Sequence, residues 1–466
     1  MHANLQSMSR RQWLEAGLGL AAAQPGQGAT ARPNIVLILA DDLGSKDVGY
    51  QGSEIRTPTI DRLAREGVRF TQFYSFPLCS PTRAALLTGR SPMRYGLAYS
   101  VIRPWAPYGL PLDEHIIPQT LKSLGYQTVM VGKWHLGHAN RRLLPHARGF
   151  DHFYGHVNGN IDYYTHEREG AIDWQRNGVS VHEEGYSTDL LAREAVRMIT
   201  GRDRSRPLFL YLAFNAPHTP LQAPKEAIAA CSHIPDAKRR VFAAMVETMD
   251  RAIGTVLRTL EQEGMARDTL IVFLSDNGGP INAGARNDPL RAGKATVFEG
   301  GIRVPALMWW PGRLPAGRVS DQVMTVQDVF PTLASAAGGK PLAAKPLDGE
   351  DLWPAILAGR SVTRGDLFFA VEPGDETRQL AVRRGAWKLI RRIEKPTGHH
   401  TDLLFNIEED PRETTDLATK NPQLVRELGA ELDRWQALHP RCEIFTTMGP
   451  HPGWVPPKDW AKAAAE

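Results

Sequence analysis

The sequence predicts an α/β protein, a largely parallel sheet flanked by helices, followed by a smaller α+β unit. Three observations carry this reading. From Pro33 onward, short apolar runs alternate with amphipathic stretches, the pattern of strands buried between helices. Five of these runs, at 35–39, 128–131, 208–214, 270–274 and 304–309, read as buried strands. Between the third and fourth lies a long helix whose Val246, Met249, Ile253, Val256, Leu257 and Leu260 share one face, with Gly264 as its stop. The segment 339–348, rich in proline and small residues, reads as a junction. Beyond it, 379–391 reads as two short strands, 402–407 as a third and 422–437 as a helix. The expected division is therefore 1–31 as a leader, 32–345 as the main domain and 346–466 as a smaller C-terminal subdomain.

Composition narrows the function. The 466 residues are 42% hydrophobic and 23% charged, the balance of an ordinary globular chain, which argues against disorder, collagen and coiled coil. A net charge of +4 over this length gives no basic stripe, so no nucleic-acid partner is expected. No run of 18 apolar residues exists to span a membrane. Cys79, Cys231 and Cys442 are too few for a disulfide framework and lack zinc-site spacing. The leader contains Ser9-Arg10-Arg11-Gln12-Trp13-Leu14, then a small apolar stretch over 16–23 and Ala29-Thr30-Ala31. This reads as a twin-arginine export signal with a small-residue cleavage site, and implies a periplasmic or extracellular protein.

Chemistry-bearing residues cluster after the strands. The first strand runs into Asp41-Asp42-Leu43-Gly44, and the fourth into Ser275-Asp276-Asn277-Gly278-Gly279. In parallel α/β sheets, ligands bind beyond the carboxyl ends of the strands. Adjacent carboxylates there repel unless a cation compensates, and three carboxylates with one amide oxygen suit Ca²⁺ or Mg²⁺ better than zinc. Each cluster alone could be a helix cap or a turn. Cys79 stands in Leu78-Cys79-Ser80-Pro81-Thr82-Arg83, where Pro81 can open a helix and bring Arg83 into its first turn.

Cys79-x-Pro81-x-Arg83 followed by Leu87-Thr88-Gly89-Arg90 resembles the signature of the type I sulfatases. Further segments similar to that family follow in order: Gly132-Lys133-Trp134-His135, Ala216-Pro217-His218-Thr219-Pro220, and Gly293-Lys294 before Phe298-Glu299-Gly300-Gly301. The resemblance implies an alkaline-phosphatase-like fold and hydrolysis of sulfate esters. It implies that a maturation enzyme oxidises Cys79 to formylglycine, whose hydrated aldehyde is the nucleophile. It also implies that a divalent cation, Ca²⁺ or alternatively Mg²⁺, is held by Asp41, Asp42, Asp276 and Asn277 and touches residue 79. In the roles so implied, Arg83 holds the hydrate and Lys133 and Lys294 bind sulfate oxygens. His218 and Lys294 assist the leaving alcohol, and His135 deprotonates the hydrate to regenerate the aldehyde.

Outside these motifs, Pro111-Leu-Asp-Glu114, Arg148-Gly-Phe-Asp-His-Phe-Tyr-Gly155, the stretch 162–167, Pro289-Leu290-Arg291 and Pro440-Arg441-Cys442 are similar to the arylsulfatase B branch of the family, which acts on N-acetylgalactosamine 4-sulfate. That implies a sulfated saccharide as substrate, with activity on aryl sulfates. Asp162, His166 and Glu167 are candidates to line the sugar pocket, or form a polar surface loop. The alternatives are a sulfatase of algal or other polysaccharides, or a phosphonate or phosphodiester hydrolase on the same fold.

Overall fold

The computed structural model describes residues 32–342, 344–440 and 449–464. The stretch 1–31, expected to be an export signal, and Cys442 lie outside the described residues.

The first strand, Asn34–Ala40, is buried at every position after Asn34. An apolar strand of that kind needs neighbours on both edges and a layer on both faces. It has both, pairing in parallel with Leu208–Ala213 on one side and Thr269–Ser275 on the other. Alternation then splits its side chains. Ile35, Leu37 and Leu39 enter one apolar core, while Val36, Ile38 and Ala40 enter the core on the opposite face.

Outward from this centre, Leu208–Ala213 pairs in parallel with Gln127–Lys133, and that strand with His152–His156. On the other side, Thr269–Ser275 pairs with Ala306–Trp309, which adjoins Val68–Phe70 and then Arg318–Ser320. Two-residue strands at 175–176 and 179–180 complete a ten-stranded sheet. Four of the five predicted strands form the parallel centre. The fifth, expected among the parallel strands, is antiparallel to its neighbours. An unbroken apolar run records burial and says nothing about direction.

Helices cover both faces. The predicted long helix is Ala237–Gln262, and Gly264 follows it with a φ of 68°, a left-handed stop. It packs with Ser187–Thr200 and Pro58–Glu66 on one face. On the other face lie Cys79–Thr88 and Val326–Ala336. The first of these begins at Cys79 itself, two residues before Pro81, and all ten of its residues are buried. Among the described residues, no helix is long and apolar enough to cross a membrane.

The smaller C-terminal sheet has four antiparallel strands, Leu367–Val371, Thr377–Arg384, Trp387–Glu394 and His400–Asn406, backed by the helix Pro422–Gln436. The first of them was not anticipated. This subdomain shares a core with the main sheet, because Leu380, Val382, Leu389, Leu404 and Leu428 join the cluster that contains Leu37.

It also makes a buried polar joint. Lys388 Nζ lies 2.9 Å from Glu299 Oε1 and 2.9 Å from Glu413 Oε1, and all three side chains are withdrawn from water. Glu413 Oε2 accepts from the Glu299 amide at 2.7 Å, and the Glu413 carbonyl accepts from Arg291 Nη1 at 2.7 Å. Removing one partner of a buried pair strands the other charge and costs about 3–5 kcal/mol. Lys388→Met should therefore lower the unfolding free energy by about that amount in urea denaturation. A loss below about 1 kcal/mol would show that the joint carries no stability.

Candidate active site

Strand register assembles the site. Ala40 pairs with Ser275, so Asp41 and Asp276 leave neighbouring strands at the same level, and the Asp276 amide donates to the Ala40 carbonyl at 3.0 Å. The next strand along the sheet, Leu208–Ala213, leads to His218, and the one after it, Gln127–Lys133, delivers Lys133 and then His135. Four adjacent parallel strands thus bring their carboxyl ends to one place. Two glycines permit the close approach. A Cβ on Gly132 would lie 1.8 Å from the Ala213 carbonyl oxygen, and one on Gly278 would lie 1.8 Å from that of Gly300.

The side chains form one connected array. Lys133 Nζ donates to Asp41 Oδ2 at 2.6 Å. Arg83 donates from Nε and Nη2 to Asp276 Oδ2 at 3.1 and 2.9 Å, and from Nη1 to the Lys133 carbonyl at 2.9 Å. Lys294 Nζ contacts Asp42 Oδ1 at 2.6 Å and lies 3.7 Å from Cys79 Sγ. Cys79 Sγ lies 3.5 Å from Asp41 Oδ1. Asp42 has a φ of 72°, a strained left-handed conformation, which its amide holds by donating to Asp276 Oδ1 at 3.2 Å.

Every residue singled out from the motifs converges here. Asp41, Asp42, Cys79 and His218 offer ligand atoms within 4.8 Å of one another. Asp276 and Asn277 join them through hydrogen bonds, the second by donating from Nδ2 to Asp42 Oδ1 at 2.7 Å. Arg83 lies beneath the cavity, bridging Asp276 to the Lys133 carbonyl, and is not among its lining residues. The cavity, of about 230 Å³, is floored by Cys79, His135, His218 and Lys294.

Its wall holds residues that carried no signal in the sequence: Arg103, Asn160, Arg168 and Glu372. Each is a single polar residue in a loop or hairpin without a motif. Of the stretch 162–167, Asp162 and Glu167 line a second cavity that shares Asn160 and Arg168 with the first. His166, expected near the sugar, turns inward, stacks on Trp174 with centroids 4.6 Å apart and bonds the Gly185 carbonyl. Asp162 is spent on the turn, accepting from the amides of Tyr164 and Thr165 at 2.8 Å each.

Residues 33–339 match the family model described as "Sulfatase". The chain belongs to the sulfatase family.

Arylsulfatase J of Mus musculus is 36% identical over 88% of this chain and 77% of its own length. N-acetylgalactosamine-6-sulfatase of Mus musculus is also 36% identical, over 85% of this chain and 83% of its own. The crystal structure of Ps i-CgsB in complex with k-i-k-neocarrahexaose is 36% identical, with a TM-score of 0.83 over 90% of this chain and 95% of that one. The protein is thus a sulfuric ester hydrolase with the alkaline-phosphatase-like fold. A 6-sulfatase and an arylsulfatase match at equal identity, so the likeness does not single out the 4-sulfatase branch that the outlying segments suggested.

Burial dominates the electrostatics of the sulfatase site. Burial and the facing Asp276 push the Asp41 carboxyl up to about 7, against the pull of Lys133 and Arg83. Burial also raises Asp42, but His218 and Lys294 outweigh it and hold that carboxyl well below the usual range. Burial pushes His218 down to about 3, despite the attraction of Asp42, so Lys294 is the partner that keeps Asp42 ionised. His135 falls well below its ordinary value through burial and the Lys133 ammonium. Burial and Asp276 push the Cys79 thiol well up, so thiolate does not form at neutral pH.

Sulfatases generally use a divalent metal, and the residues present fit one. Asn277 Oδ1 is buried without a hydrogen-bond partner, although its Nδ2 is satisfied. An oxygen orphaned beside Asp41, Asp42 and Asp276 completes an all-oxygen donor set, which suits a hard cation. Adding Ca²⁺ to metal-stripped protein at about 100 times its Kd should stabilise the fold by about 2.7 kcal/mol, read as a raised Tm. Asp42→Asn should abolish that shift; a shift of full size in the variant would place the cation elsewhere.

Proposed function

We propose that this sulfatase removes sulfate from saccharides built of sulfated galactose or N-acetylgalactosamine units, using a formylglycine made from Cys79 by a maturation enzyme. One observation carries the reading: residue 79 opens a buried helix with Asp41 3.5 Å and Lys294 3.7 Å from its sulfur, in a pocket open to solvent. The thiol itself is too weakly acidic to attack. Oxidised, residue 79 supplies a hydrated aldehyde whose oxygen is the nucleophile. A divalent cation, Ca²⁺ by the donor set, would be held by Asp41, Asp42, Asp276 and Asn277 and would neutralise charge on the sulfate.

The chain's own groups do the rest. Lys133 and Lys294 offer ammonium charge to the sulfate oxygens. Arg83, braced by Asp276, fixes the floor on which residue 79 stands. The ring hydrogen bonds set the roles of the two histidines. His218 Nδ1 donates to the Thr219 carbonyl at 2.7 Å, which leaves Nε2 bare at 3.5 Å from Asp42 Oδ2. A proton taken up at Nε2 would lie between that carboxylate and the leaving oxygen, ready to pass to the departing alcohol. His135 Nε2 donates to the Ile102 carbonyl at 2.9 Å, while its Nδ1 is buried with no partner. That lone pair is the base for the hydroxyl of residue 79.

The saccharide class is supported by the relative bound to a carrahexaose and by the N-acetylgalactosamine-6-sulfatases. Both kinds of unit share the galactose ring, and removal from the 4-position remains the reading favoured by the segments outside the motifs. The leader with Arg10-Arg11 would deliver the protein outside the cytoplasm, with 32–345 as catalytic domain and 346–466 as its support.

Free sulfate should be released from 4-sulfated N-acetylgalactosamine oligosaccharides or from carrageenan oligosaccharides, by protein whose residue-79 peptide has the mass of the aldehyde. Cys79→Ala should keep its far-ultraviolet circular dichroism and lose at least about 10³-fold in kcat, the scale expected when a nucleophile is removed. Sulfate release by the alanine variant at an undiminished rate would sink the formylglycine assignment.

A further inference from the structure

The loop from Gly279 to Lys294 has no regular structure beyond the single turn Ile281–Ala283, yet it delivers an ammonium to within 2.6 Å of Asp42 Oδ1 and 3.7 Å of Cys79 Sγ. A lysine placed that closely on an irregular loop needs its backbone held. The backbone on either side of Lys294 is also strained. Ala292 has a φ of 61° and Ala295 one of 64°, left-handed conformations that a residue with a Cβ keeps only where its surroundings enforce them. At Ala295 the amide donates to the Pro77 carbonyl at 2.9 Å. At Ala292 the carbonyl accepts from Asn287 Nδ2 at 3.1 Å. A Cβ on Gly293 would lie 2.7 Å from the same nitrogen, so the turn closes directly onto that amide.

Asn287 is buried, and its side chain is fully used. Oδ1 accepts from the Gly279 amide at 2.9 Å, and Nδ2 donates to the Gly279 carbonyl at 2.8 Å as well as to that of Ala292. The Lys294 amide reaches the same Gly279 carbonyl at 3.3 Å. One planar amide, an acceptor and two donors, thus ties Gly279, just past Asn277, to Ala292, just before Lys294. The main chain faces the segment after the first strand. The Asn287 carbonyl accepts from Ser45 Oγ at 2.9 Å, the Arg286 amide donates to Asp47 Oδ1 at 3.1 Å, and the Arg286 carbonyl accepts from the Lys46 amide at 3.0 Å. Asn287 therefore stands where the segments after the first and fourth strands meet the turn that carries Lys294. It is not among the residues lining the catalytic cavity.

We propose that Asn287 is a positioning residue for the sulfatase reaction, which touches no substrate and acts by fixing the strained turn that aims Lys294 at Asp42 and residue 79. This rests on the role given to Lys294 above and adds the group on which that role depends. Without the asparagine amide, two carbonyls and one amide of the loop lose a buried partner at once, and such groups are costly to leave unpaired. Ala292 is then free to leave its left-handed conformation, and the ammonium moves away from residue 79.

The test is a double-mutant cycle. The quantity read is kcat/KM for p-nitrophenyl sulfate in wild type, N287A, K294A and N287A/K294A, each with residue 79 converted to the same extent. N287A should lose on the order of tenfold or more, the scale of buried hydrogen bonds left unmade. In the K294A background the same change should cost less than about twofold, because the lysine that Asn287 serves is already gone. An asparagine that only stabilised the fold would lower kcat/KM by the same factor in both backgrounds, or lower Tm with kcat/KM unchanged, and either result would overturn the proposal. N287S, which keeps a polar group at the position, gives the same cycle if N287A does not fold. Titration calorimetry of Cys79→Ala protein with inorganic sulfate repeats the cycle without turnover: N287A and K294A should each weaken binding, and their effects should not add. Sulfate binding that K294A leaves unchanged, or independent losses that add, would overturn the proposal by this route too. A wild type with converted residue 79 that cleaves no p-nitrophenyl sulfate would count against the sulfatase reading itself, while the sulfate-binding cycle still decides whether Asn287 acts through Lys294.

Discussion

Carboxylates withdrawn from water at the ends of two neighbouring strands are the constraint on which the rest of this structure depends. Asp41, Asp42 and Asp276 are essentially unexposed and lie within reach of one another. Burying one such charge costs several kcal/mol, and grouping three multiplies the cost. The fold meets it with counter-charges that are themselves fixed: Lys133 from the adjacent part of the sheet, Arg83 from a buried helix and Lys294 from a loop beyond the fourth strand. Those cations can be in place only if the strands stand in this order and register. Shifting the first strand by one residue would exchange its two faces and separate Asp41 from Asp276. The architecture and the electrostatics of the site are one requirement seen at two scales.

The C-terminal subdomain extends that requirement. Lys294 belongs to a segment that ends in the short helix Glu299–Ile302, and the buried Lys388, Glu299 and Glu413 joint anchors that helix from the far side. Arg291, three residues before Lys294, is tied to the Glu413 carbonyl. The lysine nearest to residue 79 is therefore bracketed on both sides by contacts to the smaller sheet. An apparently accessory unit fixes the position of a charge in the main site.

Much of this was legible in the sequence, for identifiable reasons. The parallel centre was readable because each strand is a short apolar run flanked by polar chain, and the site was readable because its residues follow those runs directly. Asp41 and Asp42 come straight after the first strand, Asp276 and Asn277 straight after the fourth. The direction of Ala306–Trp309 was not legible, since an apolar run has no polarity. Leu367–Val371 was missed because its pairing lies in residues that follow it. Arg103 and Arg168 were invisible for a different reason: their place on the wall depends on carbonyls held by His135, His138 and Trp460, long-range packing that leaves no local pattern. His166 misled because a histidine beside acidic residues reads alike whether it faces a ligand or stacks on a tryptophan.

The bond from Trp460 to the Arg168 carbonyl spans 292 positions, and the ring of Trp460 also meets His138 edge-on at 5.1 Å. A chain is made from its amino end, so every side chain on the floor of the cavity has emerged before the residue that caps the wall. A nascent chain long enough to hold the carboxylates and lysines still lacks the contact that fixes the arginine hairpin. Contacts this distant in sequence form slowly, because a long loop must close before they repay its entropy. The floor of the site is thus laid down early in synthesis, and the hairpin on its wall is completed near the end.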